Sequence, residues 1–123
     1  MVLTEFNEKS GILHSKFDGV VSLLEVVEYI RATKNNTTYP RDLKILTDSR
    51  EAIMNFNVDD LDVIVLENTQ SIKNYDSITD AIVLDGAIET ALSLLYQELS
   101  KLKNYKFNVF STEKAALNWL ENN

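Results

Sequence analysis

Three times along this chain a short apolar run of strand length gives way to polar residues and then to apolar residues at helical spacing. The runs are Leu43 to Thr47, Ile78 to Leu84, and Phe107, Val109 and Phe110. The stripes that follow are Val58, Leu61, Ile64, Val65, Asn68 and Ile72; then Ile88, Ala91, Leu92, Leu95, Leu99 and Leu102; then Ala116, Leu117, Trp119 and Leu120. Strands that alternate with amphipathic helices imply parallel crossovers and an α/β layer. A chain of 123 residues with this pattern fits one domain over positions 1–123, built on one core.

The amino-terminal part adds a different element. Val2 to Phe6 and Ile12 to Phe17 read as strands around Asn7-Glu8-Lys9-Ser10-Gly11, a linker rich in turn formers that suits a hairpin. In the second strand Leu13, Ser15 and Phe17 share one face and Ile12, His14 and Lys16 the other. An antiparallel edge of this kind makes the sheet mixed. Asp18-Gly19 then reads as a tight turn, and Ser22-Leu23-Leu24-Glu25 as a capping box that opens a first helix carrying Leu23, Val26, Val27 and Ile30. The expected fold is therefore α/β: a single-domain mixed β-sheet, an amino-terminal hairpin followed by strand–helix repeats, with about four helices.

The most informative of the runs is Leu43-Lys44-Ile45-Leu46-Thr47-Asp48-Ser49-Arg50-Glu51. Pro40 just upstream lacks an N–H and disfavours helix at Tyr39, so it closes off the first helix. The run is expected to be a buried central strand that ends at Asp48 and passes into an irregular polar loop reaching Asn57, a plausible cap for the next helix. In open α/β sheets the carboxyl ends of the strands are where ligands and partners dock.

Charge and composition narrow the function. Acidic residues number 19 against 12 basic, for a formal charge of −7, which repels nucleic-acid backbones and anionic membranes. There is no cysteine, so disulfides, thiolate nucleophiles and cysteine metal sites are excluded. No run approaches the length of a membrane span, and the first residues lack the basic start and apolar middle of a signal peptide, so a cytoplasmic home is the default expectation.

Catalytic chemistry finds little footing. His14 is the only histidine, without a second histidine or a cysteine to build a zinc site around. Asp59, Asp60 and Asp62 lack the glycine and terminal glutamate of a calcium loop and read better as helix-start charges. Asp48, Glu51 and Asp85 are candidates to meet at one end of the sheet, and Gly86 alone is a weak anion cue. No phosphate loop or dinucleotide fingerprint is present. Leu92, Leu95 and Tyr96 are candidate walls of a ligand pocket, although a leucine stripe of this kind ordinarily packs a core. Tyr29, Tyr39, Tyr75, Tyr96 and Tyr105 are scattered, with exposure unreadable from sequence. No enzyme, metal or cofactor is expected on this basis.

Phe17-Asp18-Gly19-Val20-Val21-Ser22 before the first helix, Ile45 to Arg50 at the central strand, and Val109 to Leu120 at the end resemble the small bacterial SpoIIAA-like proteins, relatives of the STAS domain (sulphate transporter and anti-sigma factor antagonist). The element order is similar over nearly the whole chain. The resemblance implies helices and a mixed sheet alternating in four layers, used for regulatory protein binding. In anti-sigma antagonists the loop after the central strand carries an Asp-Ser-Ser-Gly type motif whose serine is phosphorylated. Here the matching positions are Asp48, Ser49, Arg50 and Glu51, so Arg50 stands where that serine would be and Glu51 where the glycine would be. An Arg50 ion pair with Glu51 or a neighbour is the simplest use of the arginine. Those four residues are the expected partner-binding surface. The kinship in shape with SEC14-type domains implies an alternative, a carrier or sensor of a small amphipathic or lipid-like ligand held beside Leu92, Leu95 and Tyr96. A homodimer is a further expectation, on the general frequency of two-fold assemblies.

Overall fold

The computed structural model describes residues 1–123, in which five strands form one sheet in the order β1-β2-β3-β4-β5. β1 (Val2–Asn7) and β2 (Ile12–Ser22) form the antiparallel hairpin, and β3 (Asp42–Asn55), β4 (Ser77–Val83) and β5 (Tyr105–Phe110) add in parallel. Helices α1 (Leu23–Asn35), α2 (Leu61–Ile72) and α3 (Ala87–Leu99) join the parallel strands, and α4 (Glu113–Glu121) follows β5. The mixed sheet and the four helices agree with the sequence reading.

Each crossover adds its strand on the same side of the last one. Right-handed connections then put α1, α2 and α3 on one face of the sheet. There Leu13, Phe17, Leu43, Ile45 and Ile78 pack against Val26, Ile30, Leu61, Ile64 and Leu92. α4 is no crossover and covers the other face, where Ala116 and Leu120 meet Leu46, Ala81 and Val83. The layers therefore number three, not four, because all the connecting helices share one side.

Local signals explain the helix starts. Ser22 accepts a bond from the Glu25 amide at 3.2 Å, and the Glu25 carboxylate accepts one from the Ser22 amide at 3.2 Å, which closes the expected capping box. Asn57 caps a single 3-10 turn, Val58–Asp60, that leads into α2.

Two strands run further than their polar residues suggest. Asp18-Gly19 does not leave the sheet. The register shifts between Lys16 and Asp18, Gly19 takes φ +69°, and the strand continues to Ser22. Glycine has no Cβ to clash at that angle, so it lets the bulged strand carry on. β3 likewise continues through Asp48 to Asn55, pairing Asp18 to Ser22 with Glu51 to Asn55. The expected loop is thus a strand, and its polar residues are tolerated because β4 stops at Val83 and leaves this ribbon projecting.

α3 is rotated from its leucine stripe. Ile88, Leu95 and Leu99 are exposed, whereas Leu92, Ser93 and Tyr96 are buried. The Tyr96 hydroxyl bonds only in the interior, with Asn68 and Tyr105, and that pairing turns the helix inward along Tyr96.

Candidate functional site

Between the sheet and α1–α3 lies a cavity of about 100 Å³, lined by 21 residues, 15 of them hydrophobic. Strand alternation decides what faces it. Ile45 and Thr47 of β3, and Ile78, Asp80 and Ile82 of β4, point to this side, while Ala81 and Val83 point to α4. Thr47 pairs with Ile82 and Ile45 with Asp80, so Thr47 and Asp80 are diagonal neighbours. The Thr47 hydroxyl donates to Asp80 Oδ1 at 2.9 Å.

The helices and flanking strands bring phenols to the same space. The Tyr29 hydroxyl of α1 lies 2.7 Å from Ser15 Oγ of β2. Asn68 Nδ2 of α2 donates to the Tyr96 hydroxyl of α3 at 2.9 Å, and that hydroxyl is 3.1 Å from the Tyr105 hydroxyl of β5. Tyr96 also sits edge-on to Phe107, with ring centroids 4.9 Å apart. Seven elements, β2 to β5 and α1 to α3, thus converge on one apolar chamber with a small polar inventory.

Asp80 is the one charged residue on the wall, which carries no Lys, Arg or His. Burial pushes its carboxyl up to about 7, partly offset by the Thr47 hydrogen bond. Burial likewise drives the Tyr29, Tyr96 and Tyr105 hydroxyls upward, and the Asp80 charge adds to the effect at each. The phenols therefore stay neutral across the physiological range, and Asp80 is the group that titrates there.

The four residues expected to bind a partner lie together on β3 rather than on a loop. Arg50 donates to Asp48 through Nε at 3.0 Å and through Nη2 at 2.9 Å, a two-pronged pair that holds the Asp48 carboxyl below its usual range. The arginine thus pairs with Asp48 and not with Glu51, which is exposed. Ser49 is 2% exposed and its hydroxyl has no hydrogen-bond partner. In this conformation it is out of reach of a modifying enzyme.

The pocket residues fare unevenly. Leu92 and Tyr96 line the cavity, while Leu95 stands outside it, 44% exposed, because α3 is rotated. The bonds to Asp48 raise the Arg50 pKa most, and the charges of Glu113 and Asp85 add to the effect. No group of three or more His, Cys, Asp or Glu side chains is placed to hold a metal ion.

Sequence reasoning missed Asp80, Thr47, Tyr29 and Tyr105 as site residues. A signal for Asp80 was present. It alternates with Ile78 and Ile82 along the strand, so its carboxyl had to face the interior with them. Asn68 in the apolar stripe of α2 carried the same message.

No protein-family model and no curated protein matches the chain. Among solved structures, an uncharacterized protein from the DUF3478 family with a SpoIIAA-like fold, from Shewanella loihica PV-4, superposes with a TM-score of 0.62. The fold is SpoIIAA-like. The alignment covers 98% of this chain and 92% of that one at 15% identity, so it speaks for architecture and leaves the site to be argued from its own geometry. No helix of this chain is long and apolar enough to cross a membrane.

Proposed function

We propose that this SpoIIAA-like domain is a binding module that carries or senses a small amphipathic molecule in the chamber beneath α1–α3. One observation supports this above the rest: an apolar cavity of about 100 Å³ keeps a carboxyl on its wall. A chain with no use for the chamber gains stability by replacing Asp80 with an apolar residue, since a buried charge is costly. A concave apolar site with a few convergent polar groups is the usual form of a small-molecule site.

Amide NMR mapping with n-butanol tests this reading. Shifts confined to the lining residues, and lost on Ser93→Leu, which fills part of the chamber, support it. Shifts scattered over the surface, or unchanged in the variant, defeat it.

A second reading, regulatory docking of a protein partner, is supported by the projecting β2–β3 ribbon. There Val20 and Ile53 are paired, and they are 58% and 61% exposed next to the Asp48–Arg50 ion pair. Apolar side chains rimmed by charge fit a partner, including a second copy of this chain. Asp48, Ser49, Arg50 and Glu51 belong to this proposed surface. In a pull-down, Asp48→Ala and Arg50→Ala should release the partner, and undiminished capture by both variants counts against the reading.

A further inference from the structure

We propose that the chamber takes a small aliphatic amine, bound as its ammonium cation against the Asp80 carboxylate. This rests on the reading of the chamber as a ligand site and names the chemistry of its occupant.

The charge inventory carries the argument. The wall holds one acidic side chain and no basic one. A carboxylate or phosphate ligand would place a second negative group beside Asp80 in a low-dielectric space with nothing to neutralise either. A cation meets the opposite situation: the desolvation of both ions is offset by their mutual attraction and by hydrogen bonds between them. Asp80 accepts its one hydrogen bond from Thr47 at Oδ1, which leaves Oδ2 to accept from a ligand N–H.

Size limits the skeleton. A cavity of roughly 150 Å³ accepts benzene. The chamber here, at about 100 Å³, suits an amine with fewer heavy atoms.

Thr47 from β3 bonds Asp80, and the other titratable groups on the wall are Tyr29 from α1, Tyr96 from α3 and Tyr105 from β5. None of them is basic, and the three phenols are held neutral. Amine affinity should therefore follow the ionisation of Asp80. It should fall by about tenfold per pH unit below the Asp80 pKa and level off above it.

Isothermal titration with n-butylammonium chloride, n-butanol and sodium butyrate tests the proposal on wild type and Asp80→Asn, at pH 8.5 and 5.5 by choice of buffer. On wild type at the higher pH, the amine should bind at least about tenfold more tightly than the alcohol, and butyrate should be weakest. Asp80→Asn should cost the amine about tenfold or more and leave the alcohol within about twofold. Lowering the pH should weaken the amine alone, a readout on the wild-type protein that does not depend on how the variant folds. Butanol or butyrate binding as tightly as the amine overturns the amine assignment while the chamber stands as a site. Absence of binding by all three removes both readings.

Discussion

The Thr47 hydroxyl is donated to Asp80 at 2.9 Å, across a diagonal of the β3–β4 pair, and it is the one hydrogen bond the Asp80 carboxyl makes. The bond favours the ionised form, while burial favours the neutral one more strongly, which leaves the group near 7. A side chain that charges and discharges near neutrality on the chamber wall makes stability and binding depend on pH together.

Asp80 should weaken the fold as pH rises. Its pKa in the folded state is raised to about 7, against an ordinary value of 3.8 for the free side chain. Between those values the folded chain holds a proton that the unfolded chain has released, so stability declines with rising pH and levels off above about 7. The full difference is roughly 4 kcal/mol at about 1.4 kcal/mol per pKa unit. Asp80→Asn should therefore be more stable than wild type at pH 8 by a few kcal/mol, roughly, with the gap closing towards pH 4. Urea denaturation across that range reads it directly, and a gap that stays constant with pH refutes the assignment.

Thr47→Val keeps the shape of the side chain and removes the donor. Above pH 7 the loss should be about 1.5–3 kcal/mol, the range for hydrogen bonds to charged groups, and it should shrink at pH 5, where Asp80 is neutral. The Asp80 pKa should rise further, which carbon-13 NMR of the carboxyl can follow.

Ser49 buries a hydroxyl without a partner. Ser49→Ala should leave stability unchanged or raise it by up to about 1 kcal/mol. Ser49→Glu places a charge at a position that is 2% exposed and should unfold the domain rather than act as a phosphate mimic. Circular dichroism melts distinguish the two outcomes.

Leu120 is fully buried against the sheet face opposite the chamber. Leu120→Ala should cost about 2–5 kcal/mol. Because a helix as short as α4 is marginal by itself, hydrogen exchange should rise first over Glu113–Glu121. Protection in α1 and α2 should persist to higher denaturant.

Much of the architecture was legible because it is locally encoded. The capping box at Ser22, the break at Pro40 and the strand-length runs each act over a few residues, and each sits where the sequence placed it. The strand ends were not legible. Asp18-Gly19 and Asp48 to Glu51 look like turns, yet each supplies backbone partners to the other when paired. The leucine stripe of α3 misled for a related reason. Leu95 and Leu99 satisfy helical spacing, but the bonds that Tyr96 makes to Asn68 and Tyr105 decide which way the helix faces.

The order of strands and helices, the handedness of the connections and the acidic surface follow from the amino acids taken a few at a time, because propensity, periodicity and net charge are short-range or additive. The rotation of α3, the continuation of β2 and β3 past their polar residues, and the gathering of Tyr29, Thr47, Asn68, Asp80, Tyr96 and Tyr105 around one chamber were decided only by the tertiary structure. Those outcomes depend on hydrogen bonds and packing between residues distant in sequence, such as Thr47 and Asp80, 33 positions apart, and strand register sets them where local preference has no reach.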